Sequence, residues 1–105
     1  MNHFMRLENA KAYVKDRLSQ EELLAQLAEE ASELTHAALK LRRVLDGTNP
    51  SPVFIPAAYA AVKEEIADVQ LLIQIVGLHI EPGELEAIMN EKLLRWQRRL
   101  IEAEE

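Results

Sequence analysis

An all-α domain is what this sequence predicts. Two observations carry the prediction. Apolar residues recur three and four positions apart through the chain's longer segments. Three glycines and four prolines are too few for an all-β or loop-rich protein, and most of them stand between those segments. The chain has 105 residues, the size of one small domain, and no repeat or linker divides residues 1–105. Hydrophobic residues make up 49% of it, enough for one core; aromatics are only 5%, so Leu, Ile, Val and Ala must fill that core.

Taken in order, a short amphipathic helix is expected over about 4–17. Ser19 then reads as an N-cap, with Glu22 three residues on completing a capping box. The helix it opens should run from about 20 to 46, with Gly47 as its stop. Its stripe is Leu23, Leu27, Ala31, Leu34, Ala38, Leu41 and Leu45. The segment DGTNPSPVFIP, 46–56, is a loop whose Val53, Phe54 and Ile55 should pack on something. Pro56 suits the first turn of a helix reaching about His79. After the break at 81–83, a last helix over about 83–102 should turn Leu85, Ile88, Met89, Leu93, Trp96 and Leu100 inward. The expectation is a helical bundle of three long helices and a short N-terminal one. Its apolar surface exceeds what one small chain can cover, so oligomerisation should complete it.

Charge and composition exclude several classes of function. A net charge of −6 argues against sequence-independent nucleic-acid binding, though a local basic cluster still suits a small phosphate ligand. Without cysteine there is no disulfide framework and no thiolate chemistry. The N-terminus has no apolar run suited to a signal peptide, and the strongly apolar stretch around Val69–Leu78 is too short to span a bilayer. A cytoplasmic protein is expected.

The acids need an explanation. Along the third helix Ala57, Ala61, Glu64, Glu65, Asp68, Leu72 and Ile75 share one broad stripe, apolar above and below the carboxylates. An ionised carboxylate taken out of water costs several kcal/mol unless it is paired or bound to a cation. Glu29, Glu30 and Glu33 flank the stripe of the preceding helix. If the two helices pack side by side, Glu30 and Glu33 meet Glu65 and Asp68 with no Lys or Arg between them. A hard divalent cation with oxygen ligands relieves that repulsion, and Mg²⁺ suits an all-carboxylate set. A solvated acidic face is the competing explanation for E-E-x-x-E in so acidic a chain.

These residues resemble a known signature. EEASE (Glu29, Glu30, Glu33) followed by EIAD (Glu65, Asp68) is similar to the E-E-x-x-E … E-x-x-D pattern of the MazG-like all-α nucleoside triphosphate pyrophosphohydrolases. NEKLLRWQRR resembles that family's N-x-K-x-x-R helix through Asn90, Lys92 and Arg95. The likeness covers residues ~20–100, with a gap between Glu33 and Glu65 longer than the family's usual spacing. The resemblance implies hydrolysis of a (deoxy)nucleoside triphosphate to the monophosphate and pyrophosphate. It implies Mg²⁺, with Mn²⁺ as a substitute, held by Glu30, Glu33, Glu65 and Asp68. Glu29 would be an outer ligand or would orient the water; Asn90, Lys92 and Arg95 would bind substrate phosphate. A homo-oligomer, dimer or tetramer, is implied as well.

Lys92, Arg95, Arg98 and Arg99 also suit a helix C-terminus and its dipole, with Glu91 and Glu102 as partners. Glu33 and His36 form one E-x-x-H, the ligand pair of di-iron bundles, but the partner helix offers E-x-x-D where a second E-x-x-H is required. Two alternatives therefore stand beside the hydrolase: a non-catalytic helical protein-interaction module and a di-metal iron carboxylate bundle.

Overall fold

The computed structural model describes residues 2–105, and all of its regular structure is helical: α1 (His3–Arg17), α2 (Gln20–Asp46), α3 (Ile55–Ile75) and α4 (Glu84–Glu104). Among the described residues no helix is long and apolar enough to cross a membrane. The stop and start signals act where the sequence places them. Ser19 Oγ accepts from the Glu22 N–H at 3.1 Å, relieving one orphan donor at the head of α2. Gly47 ends that helix in the left-handed region, φ 77°, with its N–H on the Arg43 carbonyl. Pro56 sits in the first turn of α3.

The centre of the fold is an antiparallel α2–α3 hairpin. Leu23, at the start of α2, packs with Leu72, Ile75 and Val76 at the end of α3, and Leu27 lies against that cluster. At the opposite end Ala37 shares a small hollow with Ala57, Ala58 and Ala61. The seam positions are Leu23, Leu27, Glu30, Leu34, Ala37, Leu41 and Val44 on α2, and Ala58, Val62, Glu65, Val69 and Leu72 on α3 with Val76 just past its end; Ile75 is buried beside this row, in the same cluster. Both sets alternate steps of four and three, the seven-residue repeat of helices that wrap around each other. The stripe predicted for α2 is thus corrected at three places: Glu30, Ala37 and Val44 occupy the seam instead of Ala31, Ala38 and Leu45. The reason is periodicity. A seam repeats every 3.5 residues, and two successive steps of four, Leu23 to Leu27 to Ala31, carry the predicted stripe one position past it. Fully burying a Leu or Val contributes about 1.5–3 kcal/mol, so the Leu23–Leu72–Val76 cluster is the hairpin's main anchor.

Two further expectations are corrected. The third helix stops at Ile75, four residues short of His79, because Gly77 takes φ 74° and ends the ladder. The side chain of Gln20 then holds the exit, donating to the carbonyls of Val76 (3.3 Å) and Gly77 (3.1 Å). A Cβ at residue 77 would meet the flexible Lys15 side chain at 3.5 Å and Gln20 Nε2 at 4.0 Å, both ordinary contacts, so its cost is conformational. Gly77→Ala is expected to lose about 1–2 kcal/mol, read as a fall in Tm of several degrees.

The other correction concerns α4, which packs against none of the other helices. Leu85, Ile88, Met89, Leu93, Trp96 and Leu100, predicted to face inward, are all exposed, Trp96 by 64%. Amphipathicity fixes which face of a helix is apolar and is silent on what covers it. In the loop, Val53 is half-buried beside Ala57 and Ala58, whereas Phe54 stands 75% exposed.

Candidate functional site

Glu30 and Glu65 are the only charged residues in the α2–α3 seam, and they lie at the same level of the hairpin, between the Leu23–Leu72 cluster and the Ala37–Ala58 contact. Asp68, three residues after Glu65, reaches the same point from the rim. One carboxylate oxygen each from Glu30, Glu65 and Asp68 lies within 4.8 Å of the other two. Glu30 and Glu65 are half-buried and Asp68 is exposed, so the group opens to solvent on one side.

Its internal bonding is incomplete. Glu30 Oε1 accepts from Gln26 Nε2 at 3.0 Å, one turn earlier on α2. Glu65 Oε2 is buried and has no hydrogen-bond partner. Desolvation pushes the Glu65 carboxyl above its ordinary value of 4.5, and Asp68, Glu30, Glu33 and Glu64 push it further in the same direction. All four neighbours are acids. The group offers oxygen donors only, one of them buried and unpartnered, and gathers negative charge with no counter-charge beside it.

The structure brings together three of the four residues expected to hold metal. The fourth, Glu33, is exposed one turn beyond Glu30 and is close enough to act on Glu65 through its charge. Glu29, next to Glu30 in the sequence, is exposed and contributes none of the group's three oxygens. His36 is exposed and also outside it. Asn90, Lys92 and Arg95 lie on α4, which touches neither α2 nor α3, so the predicted phosphate-binding residues and the acids do not meet within one protomer.

Two features escape the sequence patterns. Gln26 positions Glu30, and its only signal is the i,i+4 spacing. Lys40 edges the hollow of about 110 Å³ walled by Ala37, Val53, Ala57, Ala58 and Ala61, along the seam from the acids. Lys40 stands seven residues after Glu33, hence on the same side of α2. Compared with protein-family models, with curated proteins and with solved structures, the chain finds no match.

Proposed function

We propose that this chain is a Mg²⁺-dependent nucleoside triphosphate pyrophosphohydrolase. The observation that carries the reading is the buried, unpartnered Oε2 of Glu65, set among the carboxylates of Glu30 and Asp68. A solvated acidic face leaves no such orphan. An interaction surface would place its acids outside the helical seam.

In this reading Glu30, Glu65 and Asp68 hold the ion, with Gln26 fixing the orientation of Glu30. When bound, Mg²⁺ supplies charge neutralisation at phosphate oxygens and acidifies a coordinated water. Exposed and one turn away, the Glu33 carboxylate accepts the proton of the attacking water, and Glu29 orients that water from the neighbouring position. The water oxygen bonds to the α-phosphorus and the bond from that phosphorus to the bridging oxygen breaks. Nucleoside monophosphate and pyrophosphate leave. Asn90, Lys92 and Arg95 bind the phosphate oxygens, Arg95 through its planar fork. The protein acts in the cytoplasm as a homo-oligomer in which further copies complete the helical bundle.

The test is a screen of normal and modified nucleoside triphosphates with pyrophosphate as the readout. Release that requires Mg²⁺ or Mn²⁺ is the expected result. Silence against every nucleotide, with the chain folded and Mg²⁺ present, would overturn the reading.

A further inference from the structure

The α2–α3 hairpin repeats its own pattern beyond the acids. Glu30, Glu33, Glu65 and Asp68 each have a counterpart seven residues nearer the hairpin turn: Ala37, Lys40, Ala58 and Ala61. Seven steps of 100° fall about 20° short of two full turns, so on helices sharing a seven-residue repeat such pairs lie on the same side. The acids and their counterparts therefore follow one side of the seam, about 10 Å apart along the helix axes. All four counterparts line one hollow. Ala57 adds to its α3 wall, and the half-buried Val53 lines it from the loop.

Size and lining decide what the hollow can hold. It measures about 110 Å³, well below the roughly 300 Å³ at which pockets begin to enclose a whole small molecule. It therefore seats one part of a longer ligand whose remainder lies outside. Alanine and valine form the walls, and the one charged group at the border is the amine of Lys40. A phosphate pressed against such walls would exchange its hydration for a single counter-charge, a poor trade for an ionised group. A flat ring has no polar atoms on its faces to desolvate. Lysine has three N–H donors and no acceptor, so the ring edge that meets Lys40 must carry an acceptor oxygen.

Lys40 is suited to that contact in two ways. Among the described residues no carboxylate lies within ion-pair distance of it. The cations of α2 and α3 are Lys40, Arg42, Arg43 and Lys63, and of these only Lys40 stands seven residues, or a multiple of seven, from Glu30, Glu33, Glu65 or Asp68. Arg42, nine residues past Glu33, falls on the opposite side of α2.

We propose that this hollow is a base seat that selects pyrimidine nucleoside triphosphates. The ring lies between the alanines of α2 and α3, a ring carbonyl accepts from the Lys40 ammonium, and the phosphate chain runs along the seam to the carboxylates. This assignment rests on the hydrolase reading above. The separation of about 10 Å between hollow and acids leaves the ribose its place between the ring and the α-phosphate. Every pyrimidine base carries a ring carbonyl. Purines are disfavoured because their fused second ring exceeds the hollow, and adenine has no carbonyl to offer.

The experiment measures kcat/KM for pyrophosphate release from dUTP, dTTP, dCTP, dATP and dGTP with Mg²⁺ in the full chain. The unaltered chain should prefer the pyrimidines by about tenfold or more. Ala61→Leu, which fills the hollow from an exposed helical position, should erase that preference, chiefly through KM. Lys40→Met keeps the aliphatic stem and removes the donor; it should lower the pyrimidine values about tenfold and the purine values less. Arg42→Met should leave the preference as it is. A purine preference, no preference, an equal loss for both classes in Lys40→Met, or the same loss in Arg42→Met would each overturn the seat. Should Ala61→Leu fail to fold, Lys40→Met, at an exposed position, decides alone. Calorimetry with non-hydrolysable α,β-imido nucleotides separates the two readings. Pyrimidine analogues that bind more tightly than purine ones and depend on Lys40, with no pyrophosphate released from any nucleotide, would leave the seat standing and remove the hydrolase. Pyrophosphate release indifferent to the base would do the reverse.

Discussion

Glu65→Gln should reduce Mg²⁺-dependent pyrophosphate release by about a thousandfold, roughly 4 kcal/mol of transition-state stabilisation, while leaving the fold at least as stable as before. The two halves of this expectation have one cause. The carboxylate lies in the helical seam with an unpartnered oxygen, and every charged neighbour that perturbs it is another acid. An amide of nearly the same shape removes the repulsion and keeps the packing, so the metal-free protein should melt no earlier. The same amide is a poor ligand for a hard cation, so turnover should collapse. A variant that merely unfolded the hairpin would lose both. Steady-state kinetics beside thermal melting of the same preparation separates the cases. Full activity in Glu65→Gln would place the chemistry elsewhere.

The second large effect is on stability itself. Magnesium at a hundred times its dissociation constant should stabilise the chain by about 2.7 kcal/mol, which for a domain of this size is roughly 10 °C or more in Tm. Without magnesium, pH should act in a definite direction. Burial and four neighbouring carboxylates raise the Glu65 carboxyl above 4.5 in the folded chain. A group with a raised folded-state value binds its proton more tightly in the native state. Its contribution is therefore complete below about pH 4.5 and is lost as pH rises through the raised value. The metal-free protein should lose this increment on going from mildly acidic to neutral buffer, and added Mg²⁺ should restore it. In Glu65→Gln both effects should vanish. Calorimetry across that pH range, with and without the ion, reads all of these at once. A pH response in Glu65→Gln equal to that of the unaltered chain would assign it to other groups.

Much of the local structure was legible from residue types. Ser19, Gly47 and Pro56 mark ends that hold because each meets a backbone requirement within its own turn. The all-helical class followed from apolar spacing. The assignment of Glu30 and Glu65 to facing helices came from the same spacing, although the covered stripe of α2 was placed partly on its neighbours. The difference between Ala31 and Glu30 is one step of 100°, and alanine at 31 and 38 masked it. Gly77 carried a readable stop signal, overridden by the apolar run on either side of it. What could not be read was the place of α4. Its amphipathic face identifies a buried surface without identifying the chain that buries it. Asn90, Lys92 and Arg95 were therefore assigned to the same site as the acids, whereas a single protomer holds the two apart.

The seven-residue spacing of the α2–α3 hairpin constrains which changes in length the chain can accept. Inserting one residue within either helix between its acids and the hairpin turn rotates one set of carboxylates by about 100° relative to the other and disperses the group. Inserting residues at 48–54 leaves both helical faces where they are and costs only the slow logarithmic penalty of a longer loop. Divergent forms of this protein should therefore vary in length at that turn and keep the count of residues within each helix unchanged.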